Sequence, residues 1–184
     1  MGNRNPAKCF LPNQINTIFV APDLRTQLPN FFCIPAMIKE ESVKPYGDKQ
    51  VQFDRRYLEM ARIWSQNSYC KRRQVGALIV KEKMIISDGY NGTPVGFENV
   101  CEDEDYKTKP YVLHAEANAI TKVAKSNNSS DGSTLYITTS PCMECAKLII
   151  QSGIRRVVFC DKYHKLDGIE LLEKAGIEVE YIEI

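Results

Sequence analysis

Two regimes of hydrophobic patterning divide the chain. Over residues 1–48 no apolar period survives between six of the nine prolines, Pro6, Pro12, Pro22, Pro29, Pro35 and Pro45. Proline at that density breaks helices and interior strands, so this stretch reads as an extended or disordered arm, with Met37 a candidate initiator. From residue 51 the pattern turns regular. Tyr57, Met60, Ala61 and Trp64 recur at helical spacing and predict an amphipathic helix over 53–67. Short apolar runs at 75–80 and 84–87 flank Lys81-Glu82-Lys83, the pattern of a β-hairpin. Residues 88–112, punctuated by Gly89, Gly92, Pro94, Gly96 and Pro110, make a long loop, and loops of that length inside compact domains tend to be functional.

Beyond the loop, helices and strands alternate. The expected order is helix 114–126, strand 135–139, a helix opening at Pro141 and running to about Gln151, strand 156–160, helix 169–175 stopped by Gly176, and strand 177–182. Such alternation calls for an α/β fold with a mainly parallel sheet and helices on both faces. The helix between the last two strands supplies a crossover, which makes them parallel. The chain therefore divides into an arm, 1–48, and a folded domain, 49–184, with no internal repeat.

Charge and cysteine content narrow the function classes. The 24 basic and 23 acidic residues leave a formal charge of +1, which gives no electrostatic footprint for a long nucleic-acid duplex. No stretch approaches the roughly 18–20 apolar residues that span a bilayer, and the first residues lack the pattern of a secretory signal. Seven cysteines are an odd number, and Cys142 and Cys145 form a C-x-x-C. A reduced, cytoplasmic protein with a metal site is expected, in which Cys9, Cys33, Cys70, Cys101 and Cys160 are small buried or semi-exposed thiols.

The chemistry concentrates in His114-Ala115-Glu116 and Pro141-Cys142-Met143-Glu144-Cys145. One imidazole and two thiolates hold Zn²⁺ with a fourth coordination position left over, whereas a structural site uses four protein ligands. His114, Cys142 and Cys145 are the expected metal ligands, and Glu116 stands close enough to move protons beside them. The alternative is a structural zinc knuckle with Glu116 as a solvated carboxylate. His114 and Glu116 are expected on the first turn of one helix and Cys142 and Cys145 on the first turn of another, and the two positive helix ends favour thiolate over thiol. Proline at 141 suits such a start. The pattern H-x-E…P-C-x-x-C is the known signature of zinc-dependent nucleobase deaminases.

On these and further blocks the chain resembles the deoxycytidylate (dCMP) deaminase family, which includes related proteins of bacterial competence operons. The blocks are Arg72-Arg73-Gln74-Val75-Gly76-Ala77, Gly89-Tyr90-Asn91-Gly92-Thr93-Pro94, His114 to Ile120, Ser140 to Lys147, and Asp161-Lys162-Tyr163-His164. The resemblance covers roughly residues 53–183. It implies a three-layer α/β/α cytidine-deaminase-like fold with a mainly parallel mixed sheet, one zinc per chain, and hydrolysis of dCMP to dUMP and ammonia, feeding thymidylate synthesis. It also implies that Asn91 contacts sugar and base, and that Arg72 and Tyr163 belong to a 5′-phosphate pocket. The bland alternatives are a turn-supporting Asn91, a solvated Arg72-Arg73 pair and a core-edge Tyr163; His164 reads as a surface or phosphate-adjacent side chain. Some family members carry a second, structural zinc near the positions of Cys70 and Cys101, but here no histidine lies between them and His114 to complete a set. Many members are homohexamers activated by dCTP and inhibited by dTTP, with a regulator near the loop 92–99.

Three readings compete. The first is a deaminase of a free pyrimidine nucleotide. The second is a deaminase of guanine, a riboflavin precursor or a tRNA base; a polymer substrate is disfavoured by the acidic run Glu102-Asp103-Glu104-Asp105. The third is a non-catalytic zinc protein of a DNA-uptake system, against which Glu116 speaks.

Overall fold

The computed structural model describes residues 47–184, so the expected arm lies outside the described residues except for its last two. Four helices and five strands follow in the order α1 (Asp48–Ser65), β1 (Gly76–Lys81), β2 (Met84–Tyr90), α2 (Ala115–Ala124), β3 (Thr134–Thr139), α3 (Met143–Gln151), β4 (Arg156–Asp161), α4 (Asp167–Lys174) and β5 (Glu178–Tyr181). Every expected element is present. The first helix starts at Asp48 rather than at 53, with that aspartate at its positive end. The second strand runs on to Tyr90, three residues into what reads as loop, because Asp88 and Gly89 interrupt the apolar run without ending the pairing with β1.

The sheet order is β2-β1-β3-β4-β5. β1 pairs antiparallel with both β2 and β3, whereas β3, β4 and β5 are parallel. Strand β1 alone points against the other four. The sheet is therefore mixed, with parallel and antiparallel pairings equal in number; the α/β class stands, and the expectation of parallel final strands holds. The hairpin reverses direction at Glu82 and Lys83, both at positive φ (51° and 66°), as a tight two-residue turn requires.

Register sorts the core into two layers. Ala77, Ile137 and Phe159 align across three strands, and with Ile79, Leu135 and Val157 they face Ala115, Ala119, Ala146, Ile149 and Leu172 of α2, α3 and α4. The intervening residues Leu78, Tyr136 and Val158 face Leu58 and Ala61 of α1. This alternation follows from the period of two in a strand, and it gives α1 on one face and three helices on the other. Among the described residues no helix is long and apolar enough to cross a membrane.

One polar cluster sits under α1. Asp54, fully buried, accepts hydrogen bonds from Tyr136 Oη (2.6 Å), Gln50 Nε2 (2.9 Å) and both Nη atoms of Arg156 (2.9 Å each). Arg156 also pairs with Glu180, so one helix is fastened to β3, β4 and β5. Burial would raise the Asp54 pKa, but the hydrogen bonds from Arg156, Tyr136 and Gln50 outweigh it and hold it below the ordinary 3.8. A carboxylate with a depressed folded pKa contributes stability above its unfolded value and loses it as pH falls through the folded one. Asp54→Ala should cost about 3 kcal/mol in urea unfolding at neutral pH, since it leaves Arg156 buried with fewer partners. The difference from wild type should shrink as the pH is lowered below about 4.

Candidate active site

The end of the sheet where β2 and β3 hand over to helices carries the site. His114 is the N-cap of α2 and Cys142 the N-cap of α3, both in extended backbone conformation, while Cys145 lies in the first turn of α3. The expected placement on first turns is thus corrected by one position for His114 and Cys142. Pro141 is accordingly not the first helical residue. It precedes the cap, where its ring favours extended backbone at Ser140 and turns the chain from β3 into α3.

Close backbone approach makes the convergence possible. A β-carbon on Gly168 of α4 would collide with the backbone of Pro141 and Cys142, and one on Gly89 of β2 with Ala115 and Ala119 of α2. Both helix starts are therefore pressed onto their neighbours at positions where only glycine fits.

Three ligand atoms meet there. His114 Nδ1 lies 3.5 Å from Cys142 Sγ and 3.3 Å from Cys145 Sγ, and all three atoms fall within 4.8 Å of one another. Exposure is graded, from exposed His114 through half-buried Cys142 to buried Cys145. Hydrogen bonds from Cys145 and His114 lower the Cys142 thiol to about 3, and the same contact with Cys142, with burial, pushes Cys145 up. His114 is raised, chiefly by its bond to Cys142. Two adjacent sulfurs cannot both carry charge without a cation between them, and a soft divalent ion with one imidazole and two thiolates is the combination zinc takes. The donor set fits zinc and leaves no fourth protein ligand among the described residues.

Glu116 follows in the first turn of α2, 4% exposed. Burial raises its pKa to about 7, against the opposing effect of its own backbone N–H bond and His114.

Above this cluster opens a cavity of about 550 Å³ whose wall includes His114, Glu116 and Cys142 together with Arg72, Arg73, Asn91, Lys162, Tyr163 and His164. All seven residues expected at the site are in or beside this cavity, Cys145 through its contact with His114. Asn91 braces the segment carrying the arginines: its Oδ1 accepts from Val75 N–H (2.8 Å) and its Nδ2 donates to the Arg73 carbonyl (2.8 Å). Arg72 donates to Thr108 Oγ1 (3.1 Å). Tyr163 is held by its backbone N–H to Ser140 Oγ (2.8 Å) and has the Arg73 guanidinium 5.8 Å from its ring centroid. Arg73, Lys162 and Glu102 were not expected at the site. Arg73 and Lys162 stood inside the quoted blocks, next to Arg72 and Tyr163, so their composition could have marked them.

Cys70 and Cys101 form a disulfide, 31 residues apart in sequence, with Cα atoms 5.1 Å apart. The expectation of isolated thiols is overturned for these two, although both are buried as expected; Cys160 is a free buried thiol. Sequence spacing carried no sign of the pair, because a 31-residue loop brings the two together only through the tertiary fold.

A second, acidic depression of about 780 Å³ lies beside the loop, lined by Glu102, Asp103, Glu104, Asp105, Lys71 and Tyr106 among others. It contains none of the metal-ligand set.

Residues 51–161 match the model of the cytidine and deoxycytidylate deaminase zinc-binding region. Among curated relatives, the deoxycytidylate deaminase of Enterobacteria phage T4 is 36% identical over 66% of this chain and 86% of its own. The human deoxycytidylate deaminase is 39% identical over 65% and 71%, and ComE operon protein 2 of Bacillus subtilis is 34% identical over 74% of each. Among solved structures, the dCMP deaminase of cyanophage S-TIM5 in complex with dCMP and dUMP superposes with a TM-score of 0.71 at 46% identity, covering 74% of this chain and 100% of that one. The α/β/α fold, the zinc-ligand constellation and these likenesses agree: the chain belongs to the cytidine and deoxycytidylate deaminase zinc-binding family.

Proposed function

We propose that this protein hydrolyses dCMP to dUMP and ammonia. The observation that carries this reading is the meeting, in one cavity, of a His/Cys/Cys ligand set, a buried carboxylate and a group of cationic side chains. The first two supply hydrolytic deamination; the third supplies a grip on an anionic group of the substrate.

His114, Cys142 and Cys145 would hold the zinc ion. When bound, it supplies Lewis acidity and lowers the pKa of water from about 15.7 toward about 7. Glu116 is the group that moves protons: it takes one from the attacking water, delivers it to the ring nitrogen and serves the departing amine. Water is consumed and ammonia released, so the carboxylate ends as it began. A carboxyl raised to about 7 by burial is matched to that exchange near neutrality.

The 5′-phosphate falls to Arg72, Arg73 and Lys162, with Tyr163 as a flanking surface. Arg73 is the stronger anchor. Arg72 already spends an Nη on Thr108, whereas the side-chain hydrogen bond of Arg73, to Thr139 Oγ1, is long at 3.5 Å. Asn91 keeps one amide hydrogen and one lone pair beyond its backbone bonds, enough to contact sugar or base. A homo-oligomer, a cytoplasmic location and control by dCTP and dTTP complete the proposal.

Four outcomes test it. In a panel of dCMP, CMP, deoxycytidine, guanine and tRNA, run with and without dCTP, ammonia release should be fastest with dCMP; release from tRNA alone would overturn the reading. Glu116→Gln should lower turnover by about 10²–10⁴-fold while metal analysis still finds about one zinc per chain. Cys145→Ser should lose both zinc and activity. Arg73→Ala should raise the KM for dCMP by about 10–100-fold, the size of a lost charge-assisted hydrogen bond, and leave the weaker reaction with deoxycytidine unchanged.

A further inference from the structure

The disulfide lies in the wall of the cavity, and its neighbours connect it to the substrate-binding side chains. Cys70 lines the cavity and Cys101 is fully buried behind it. The next residue after Cys101, Glu102, turns its carboxylate inward. Glu102 Oε1 accepts the backbone N–H groups of Lys71 (2.9 Å) and Arg72 (3.1 Å), the two residues after Cys70. A covalent bond and a charge-assisted pair of hydrogen bonds thus join the segments 70–72 and 101–102 at two adjacent points.

From that junction a small hairpin extends. Glu102 bridges Thr108, Lys109 N–H donates to the Cys101 carbonyl (2.8 Å), and Asp103 takes the N–H groups of Asp105 and Lys107. The hairpin delivers Thr108 to Arg72 Nη1. Its far side continues to the Gly92–Leu113 bridge and His114. Among the described residues, the disulfide is the one covalent cross-link between the arginine segment and the loop that leads to the metal ligands.

We propose that Cys70, Cys101 and Glu102 form a redox-responsive clasp that sets substrate affinity: oxidised, it seats Arg72 and Arg73 for the nucleotide phosphate; reduced, it lets the hairpin 101–109 move away. The chemistry is thiol–disulfide exchange with a low-molecular-weight disulfide such as glutathione disulfide. The two protein thiols lose two electrons and two protons, one S–S bond forms, and two molecules of glutathione are released. Cys142 and Cys145 belong to the metal set and take no part. Glu102 is a positioning residue. It touches the backbone under Arg72, and its role is to preserve the clasp geometry.

The inference rests on the nucleotide-deaminase reading for its kinetic readout, and on the disulfide itself for the rest. The full-length zinc protein is equilibrated in glutathione buffers from reducing to oxidising, free thiols are blocked, and linkage is mapped by peptide mass spectrometry with zinc measured alongside. Reduction of the Cys70–Cys101 link should raise the KM for dCMP about 5–20-fold with kcat within about twofold, as expected when the binding-competent state becomes a minor population. Coupling is reciprocal, so saturating dUMP should make the pair harder to reduce by the same factor by which reduction weakens dUMP binding. The variant Cys70→Ser/Cys101→Ser, or Cys70→Ala/Cys101→Ala where the serines do not fold, should show the raised KM in every buffer. Glu102→Gln should give an intermediate KM that still responds to redox state.

Equal KM values for the linked and reduced forms would overturn the clasp. So would thiols that never pair in oxidising buffer, or a reduced protein that takes up a second zinc, which would make the cysteines a ligand pair. Failure of the substrate reading looks different: no turnover of dCMP in either state. The clasp is then decided by trypsin cleavage at exposed Lys107, which should accelerate on reduction and, if unchanged, sinks it.

Discussion

Two cysteine sulfurs and an imidazole nitrogen held within 4.8 Å of one another are the constraint on which the structure depends. Left as neighbours in a partly buried site, thiolates repel each other. The fold opposes this in two ways. It places Cys142 and His114 at the N-caps of α3 and α2, where the helix dipoles are positive, and it provides a donor set that a divalent cation satisfies. Neither α2 nor α3 could be displaced by even a β-carbon at its point of closest approach without loosening that set.

The sheet makes the convergence inevitable once its order is known. β2 and β3 lie on either side of β1 and run in the same direction, so the helices that follow them start at the same end of the sheet. The α2 start comes after a long excursion, residues 91–113, whereas the α3 start comes directly after β3. The excursion is what frames the cavity. It brings Asn91, Glu102 and Thr108 to one wall while the segment after β4 brings Lys162, Tyr163 and His164 to the same cavity. On the opposite face, α1 is anchored to β4 by the buried Asp54–Arg156 pair, whose two residues lie outside every one of the sequence blocks.

Much of this was legible in the sequence, for reasons that differ between elements. Period-two and period-3.6 patterns are local, so the positions of β1, β3, β4 and the helices could be read from residues in hand. The ligand set was legible because metal chelation demands particular residue types at short spacing. The antiparallel pairing of β1 with β3 was not, since nothing in a hairpin's own sequence says which partner takes its other edge. Nor was the Cys70–Cys101 pair, whose proximity is a property of the folded loop. Asn91 shows a subtler limit. A role in turn support and a role in ligand contact looked like alternatives, yet the side chain has enough hydrogen-bonding capacity for both.

The acidic run 102–105 illustrates how folding redistributes charge that a sequence presents as a block. Glu102 is buried and turned inward onto two amide N–H groups, so it does not face solvent as a repelling charge. Asp103, Glu104 and Asp105 remain on the surface around a separate depression. The cavity itself keeps Arg72, Arg73 and Lys162. The cationic wall of the cavity is therefore built from the placement of a few charges in a nearly neutral chain, not from its net charge.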